Sequence, residues 1–158
     1  VRIGFGYDVH QLKDGLPFTI GGIVIPHSKG PVGHSDADVL IHAICDAILG
    51  AANLGDIGTH FPDNDPKYKG IDSKQLLKEV VNLLGKEAYT IGNIDSTIHL
   101  EKPKVKPHIP AMRKTLCEVM SIDEGALSIK ATTNEKMGFV GREDGVAAYA
   151  VVLILKKN

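Results

Sequence analysis

Two histidines and an aspartate carry the first chemical signal of the chain. Asp8 and His10 stand near its start, and His42 lies in the run His34-Ser35-Asp36-Ala37-Asp38-Val39-Leu40-Ile41-His42. Two imidazoles and one carboxylate would hold Zn2+ and leave a fourth position open, as catalytic rather than structural zinc sites do. Residues two apart in a strand face the same way, so Asp8 and His10 can grip one ion together. A helical His42 would close the site from across the fold. Asp46, one turn further on, is then expected to hold the second ring nitrogen of His42 and fix its tautomer. Each residue also has an ordinary reading: polar groups on a solvated strand face, and a core histidine satisfied by its neighbours.

A second signal is Lys130-Ala131-Thr132-Thr133-Asn134-Glu135-Lys136-Met137-Gly138, a strand end suited to phosphate. Consecutive hydroxyls and turn amides donate to phosphate oxygens, and Glu135 could share Mg2+ or Mn2+ with them. A plain polar turn fits the same residues. His34-Ser35 at a helix start could contact an anion, since free amides and the dipole favour negative charge there. Ordinary capping by Ser35 or Asp36 is the alternative. Asp56 and Asp63 could accept from polyol hydroxyls or simply make turns. His27, His60, His99 and His108 have no partner spacing and read as structural. Gly4-Phe5-Gly6 lacks the third glycine and following helix of a dinucleotide fingerprint.

These residues need a frame. Residues 2–10 alternate as a strand, with Gly4, Gly6, Asp8 and His10 on one face and Ile3, Phe5, Tyr7 and Val9 on the other. The glycines leave room for something to approach the backbone. Residues 18–25 read as a hairpin around Gly21-Gly22. A helix capped at Ser35 or Asp36 runs to about Asn53, on which Asp38, His42 and Asp46 recur every four residues as a polar face. Residues 56–66 form a loop, extending as a mobile stretch to Gly70. Ser73 caps a second helix to about 84, residues 94–100 form a strand, and a third helix covers roughly 107–120. Strands at 127–132 and 146–155 end the chain around a polar turn. The last strand is apolar on both faces, so both should be buried.

The frame is α+β: a two-layer sandwich of a mainly four-stranded sheet with helices on one face, plus a short N-terminal hairpin. One domain, 1–158, is expected. Helices can cover only one face, so the other implies an oligomer whose sheets pack together. Lysine plus arginine number 18 and acids 19, a net charge of −1 that argues against duplex nucleic acid as a partner. Cys45 and Cys117 form no Cys-x-x-Cys pair, and a reduced, cytoplasmic setting is expected. No basic-then-apolar leader and no apolar run of ~18 residues is present, so no membrane partner is expected.

Taken as a set, Gly-x-Asp-Val-His at 6–10, His-Ser-Asp-x-Asp-Val-x-x-His at 34–42, Gly-Asp-Ile-Gly at 55–58, Phe-Pro-Asp-x-Asp at 61–65, Pro-His-Ile at 107–109 and Lys-Ala-Thr-Thr-Asn-Glu-Lys-Met-Gly-Phe at 130–139 resemble one family. It is that of the 2-C-methyl-D-erythritol 2,4-cyclodiphosphate synthases, enzymes of non-mevalonate isoprenoid precursor synthesis. The likeness runs in order from Arg2 to about Leu155. It implies a lyase that cyclises 4-diphosphocytidyl-2-C-methyl-D-erythritol 2-phosphate and releases CMP. By resemblance Asp8, His10 and His42 bind zinc, and Glu135 binds magnesium or manganese bridging the diphosphate. His34 and Thr133 are similar to the family's transition-state stabilisers, with Ser35 assisting at the phosphate.

The resemblance places Asp56, Ile57, Gly58, Phe61, Asp63 and Asp65 around the erythritol. Leu100, Lys102, Pro103, Lys104, Val105 and Lys106, with Ala131 and Thr132, match the cytidine pocket. It further implies a homotrimer with active sites between subunits, and a central cavity near Phe139 and Arg142 that could take an isoprenoid diphosphate. Glu101-Lys102, Asn134 and Glu143-Asp144 depart from the commonest pattern. At this length a monofunctional enzyme, without an added cytidylyltransferase domain, is expected. Two rival readings remain: a two-metal nucleotide-diphosphate hydrolase, and a non-catalytic trimer that binds isoprenoid diphosphates.

Overall fold

Strand β1 (Arg2–Asp14) outruns its alternating pattern by four residues and is seen in a computed structural model that describes residues 1–157. It lies inside a five-stranded mixed sheet of order β4-β1-β7-β5-β6, where β4 is Lys29–Pro31, β5 Tyr89–His99, β6 Leu127–Thr132 and β7 Gly145–Lys156. Only β5 and β6 run parallel; the other pairs are antiparallel. The expected four-stranded sheet therefore gains an edge strand. Lys29-Gly30-Pro31 carries no alternation, and its pairing with residues 12–14 of β1 is a tertiary choice. The last two strands do not pair with each other: β7 enters between β1 and β5, and β6 takes the far edge.

Helix α1 (Val39–Ala52) lies against β1 and β7. Eleven of its fourteen residues are buried, which is why it looks apolar on nearly every side. Each fully buried leucine or isoleucine there contributes about 1.5–3 kcal/mol. The approach to β1 is close. A Cβ on Gly4 would sit 1.9 Å from the Ala47 carbonyl oxygen, and one on Gly6 equally close to that of Ala43. Glycine at 4 and 6 is thus what lets the helix lie on the strand, and the contact fixes which turn of α1 meets Asp8.

The cap of α1 is Asp38, not Ser35 or Asp36. Its fully buried carboxylate accepts from Ile41 N at 3.1 Å, Gly21 N at 3.0 Å and Gly22 N at 2.7 Å. Gly21 and Gly22 both hold positive φ, joining β2 (Phe18–Ile20) to β3 (Ile23–Ile25) in a separate two-stranded pair. Asp38 therefore ties that turn to the helix start and takes no part in a polar face. A four-residue helix α2 (Ile57–His60) and a short 3-10 turn at Pro66–Tyr68 interrupt the expected loop. Asp72, rather than Ser73, caps α3 (Ser73–Lys86) through Lys74 N. Helix α4 (Ile109–Met120) follows a 3-10 turn at Lys106–His108, and the small helix α5 (Gly138–Gly141) precedes β7.

The doubly apolar β7 is buried on one face only. Val146, Ala148, Ala150, Val152 and Ile154 are in the core, whereas Tyr149 and Val151 face outward with Ile3, Phe5, Tyr7 and Val9 of β1. Ile3 is 70% exposed and Phe5 62%. A single chain thus leaves an apolar sheet face uncovered. Both cysteines are free and buried, Cys45 within α1. No helix among the described residues is long and apolar enough to cross a membrane.

Candidate metal centre

Asp8 and His10 project from the glycine face of β1 toward α1, and His42 comes down from the first turns of that helix. Asp8 Oδ2 lies 2.9 Å from His10 Nε2 and 3.0 Å from His42 Nδ1, and the two nitrogens are 3.3 Å apart. Among the described residues this is the one acidic or histidine cluster that converges enough to hold a metal ion. Donors ~2.0–2.1 Å from a tetrahedral ion stand ~3.3 Å from one another, so the set needs little adjustment to fit zinc.

The outer nitrogens strengthen the case. His10 Nδ1 donates to the Val32 carbonyl at 2.8 Å, and His42 Nε2 lies 2.9 Å from Ser73 Oγ and 3.2 Å from Ser35 Oγ. With those protons committed outward, the inner nitrogens and the carboxylate turn lone pairs toward each other. Facing acceptors repel unless a proton or a cation lies between them. Without a cation a proton takes that place, and the electrostatics follow from it. Burial would raise the Asp8 carboxyl, but hydrogen bonds and charge from His10 and His42 outweigh it and hold it down to about 2. Burial likewise disfavours protonated His10, yet Asp8 more than offsets that and raises its pKa.

Asp46 does not hold His42. Its Oδ1 accepts from Ile57 N at 2.7 Å instead, anchoring α2, because the helix turns its side chain toward that segment. Burial raises its pKa, against the lowering effect of that hydrogen bond and with smaller help from the Asp56 and Asp8 carboxylates. The partners of His42 come from Ser35 and Ser73. Ser73 was legible only as a helix start, and no spacing rule links residues 31 positions apart.

The triad opens into a cavity of about 240 Å3, lined also by His34, Ser35, Ile57, Phe61, Asp63 and Tyr68. Thus Asp8, His10, His34, Ser35, His42, Ile57, Phe61 and Asp63 are brought together. Asp56 stands outside, exposed at the N-cap of α2, where the Thr59 hydroxyl and amide hold its carboxyl below the usual range. Gly58 is exposed on the same turn, and Asp65 caps the 3-10 turn through Lys67 N. The Asp65 carbonyl oxygen lies 3.4 Å from His34 Nε2. A larger cleft of about 610 Å3 lies among Val81, Leu84, Tyr89, Ile91, Met120 and Ile122 at the far end of the sheet. Size alone does not mark the site; the donor cluster does.

The other predicted residues form a second group, at the ends of β5 and β6. Ala131 and Thr132 lie beside Ile98 and His99, and Leu100 N donates to the Thr132 carbonyl at 3.0 Å. Leu100 and Val105 bury their side chains in the core, while Lys104 and Lys106 are exposed. Lys102 pairs with Glu143 at 3.1 Å, so part of the basic character there is already balanced. The Thr133 hydroxyl donates to Glu135 at 3.3 Å, and Glu135 itself is exposed at positive φ. Asp8, Ala148, Ile98 and Ala131 fall on one row across the sheet. Strands are spaced ~4.8 Å apart, which puts β6 roughly 14 Å from β1. Within one chain the second group does not line the metal cavity. Phe139 packs against Gly145, and Arg142 pairs with Asp144 at 3.0 Å, so that arginine is not free.

A curated 2-C-methyl-D-erythritol 2,4-cyclodiphosphate synthase from Bacteroides fragilis is 62% identical over 154 residues, 98% of this chain and 97% of its own. One from Cytophaga hutchinsonii is 60% identical over 99% of this chain and 98% of its own. Among solved structures, a 2C-methyl-D-erythritol-2,4-cyclodiphosphate synthase in a CDP-bound form superposes with a TM-score of 0.90 at 35% identity, covering 98% of this chain and all of that one. The bifunctional IspDF from Campylobacter jejuni gives a TM-score of 0.94 at 39% identity; this chain spans 99% of its own length and 42% of that longer one. A sequence profile described as the YgbB family matches residues 1–155, and the chain therefore belongs to the YgbB family.

Proposed function

We propose that the chain converts 4-diphosphocytidyl-2-C-methyl-D-erythritol 2-phosphate to 2-C-methyl-D-erythritol 2,4-cyclodiphosphate and CMP, as a cyclising phosphorus–oxygen lyase. The observation that carries this reading is the convergence of Asp8, His10 and His42 at the floor of a cavity lined by His34 and Ser35, in a chain about 60% identical to synthases over its whole length. The reaction needs no protein nucleophile. A 2-phosphate oxygen forms a bond to the β-phosphorus as the bond from that phosphorus to the CMP oxygen breaks. The protein must bring two anionic groups together and hold them in line.

Asp8, His10 and His42 would hold Zn2+, and Glu135 would hold Mg2+ or Mn2+. Bound there, these cations would neutralise phosphate charge and polarise phosphorus. The remaining work belongs to the side chains. His34 and the Ser35 hydroxyl donate to phosphate oxygens, and the Thr133 hydroxyl does so from the far side. Asp56 and Asp63 accept from the erythritol hydroxyls, with Ile57, Gly58, Phe61 and Asp65 shaping that end. Main-chain groups of Leu100, Pro103, Lys104, Val105 and Lys106, with Lys102, Ala131 and Thr132, read the cytidine. The CDP-bound forms of related synthases support a cytidine diphosphate-linked substrate.

The two residue groups lie roughly three strands apart in one chain, so a complete site calls for a neighbour. A homotrimer packed through Ile3, Phe5, Tyr7, Val9, Tyr149 and Val151 would supply it, placing residues 100–106 and 131–135 of one subunit over the cavity of the next. An isoprenoid diphosphate near Phe139 would have to draw Arg142 away from Asp144.

Mass spectrometry of products from the cytidine substrate in 18O-labelled water tests the reading. The expected result is cyclic diphosphate and CMP without label, abolished by a chelator. Labelled monophosphates would make the chain a hydrolase. Undiminished isoprenoid diphosphate binding without any turnover would make it a sensor.

A further inference from the structure

We infer that Ser73, oriented by Asp36, is a positioning residue for His42: the two hold its outer nitrogen in the donor state and thereby present Nδ1 as a metal-binding lone pair. This rests on the metal reading above.

The direction of each proton can be followed. Ser73 is fully buried at the first position of α3, and its hydroxyl donates to Asp36 Oδ1. Its backbone N–H donates to Asp36 Oδ2 at 3.0 Å, and Asp38 N donates to Asp36 Oδ1 at 3.2 Å. Asp36 thus has an acceptor-only carboxylate gripped by three donors, and its place is fixed. A serine hydroxyl carries one proton; once it goes to Asp36, the oxygen can only accept from its remaining neighbour. That neighbour is His42 Nε2, at 2.9 Å. With Ser73 as the nearer partner and able only to accept, Nε2 carries the hydrogen, and the neutral ring keeps its lone pair on Nδ1, which faces Asp8 and His10. Ser35 Oγ, 3.2 Å from Nε2, is a weaker second acceptor because it also receives Ala37 N.

The same logic governs His10, where the Val32 carbonyl takes the outer proton. The difference is that a carbonyl can only accept, whereas a lone serine could turn and donate. Asp36 removes that freedom. Without it, a Ser73 proton aimed at Nε2 would favour the opposite tautomer and cancel the lone pair on Nδ1. The three residues come from the segment before α1, from α1 itself and from the start of α3, so the arrangement also registers those elements against each other.

The test is zinc affinity by chelator competition on the full chain, for the wild type, Ser73→Ala, Asp36→Asn, the double variant and Ser73→Thr. Outer partners of metal-bound histidines typically change affinity by about 10- to 100-fold. Ser73→Ala and Asp36→Asn should each weaken zinc binding on that scale. Because both act through one proton, the double variant should lose no more than the weaker-binding single variant. Ser73→Thr, which keeps the hydroxyl, should restore affinity. Asp36 is only partly buried, so Asp36→Asn keeps the proposal testable if a change at Ser73 disturbs folding. Zinc affinity of Ser73→Ala or Asp36→Asn within twofold of wild type would overturn the inference, as would fully additive losses. A wild type that takes up no zinc would overturn the metal reading itself, and with it the purpose of the relay.

Discussion

Asp8 is the residue on which the candidate metal cluster turns, since its one oxygen serves both imidazoles. In metal-free protein, protons must stand in for the cation, and this sets a pH window. The folded pKa of Asp8 is depressed from 3.8 to about 2, so its stabilisation is present above 3.8 and lost as pH falls toward 2. The folded pKa of His10 is raised above 6.5, so its part is fully present below 6.5 and lost as pH rises through the folded value. The melting-temperature difference between chelator-stripped wild type and Asp8→Asn should therefore peak between those limits; a difference flat from acid to alkali would count against the pairing. His10→Ala should abolish zinc uptake by metal analysis, and an unaltered zinc content would remove His10 from the ligand set. Glu135→Gln should keep zinc while turnover drops roughly 10²–10³-fold, the scale of losing a positioned charge stabiliser. Zinc loss in that variant would overturn the division of metal roles.

At the scale of elements, the centre depends on how closely α1 lies on β1. The two glycines of the strand set that distance, and the next residues on the same face are Asp8 and His10. Gly6→Ala would drive a methyl into the Ala43 carbonyl, which a backbone cannot cheaply yield. A cost of about 1–3 kcal/mol is the ordinary scale of overpacking, and each kcal/mol lowers the melting temperature by about 2–4 °C in a chain of this size. The specific expectation is that zinc affinity falls along with stability, because lifting the helix carries His42 away. Calorimetry paired with metal titration checks this: a variant that melts lower yet binds zinc as before would separate the helix contact from the site. Asp38 and Asp46 show the limit of reading a helix face. Their spacing with His42 is regular, but one ties down the β2–β3 turn and the other α2.

On the scale of the whole molecule, the uncovered sheet face and the division of the proposed site are what the proposed homotrimer would account for. Val151 is 44% exposed on that face, opposite Phe5 of β1. Val151→Glu would bury an unpaired charge in a sheet-to-sheet contact, at several kcal/mol per subunit. Sedimentation should show monomers, and turnover should fall with the trimer fraction even though Asp8, His10 and His42 are untouched. A monomeric variant that retains full turnover would show that one chain contains the entire site.

The chain's pattern was enough for the α+β class, the three long helices, the apolar strand faces and the choice of Asp8, His10 and His42 as side chains that converge. Each of these is written locally, in a period of two, a period of three to four, or residue types with few other uses. The family motifs added the reaction, since their order and spacing along the chain are specific. Beyond the reach of local pattern were the β4 edge strand, the insertion of β7 between β1 and β5, and the partners of His42. These depend on which distant segments meet. Ser73 and Asp36 serve His42 only because α3 starts where the α1 approach ends, and a hydroxyl 31 positions away carries no mark in the sequence of the proton it will accept.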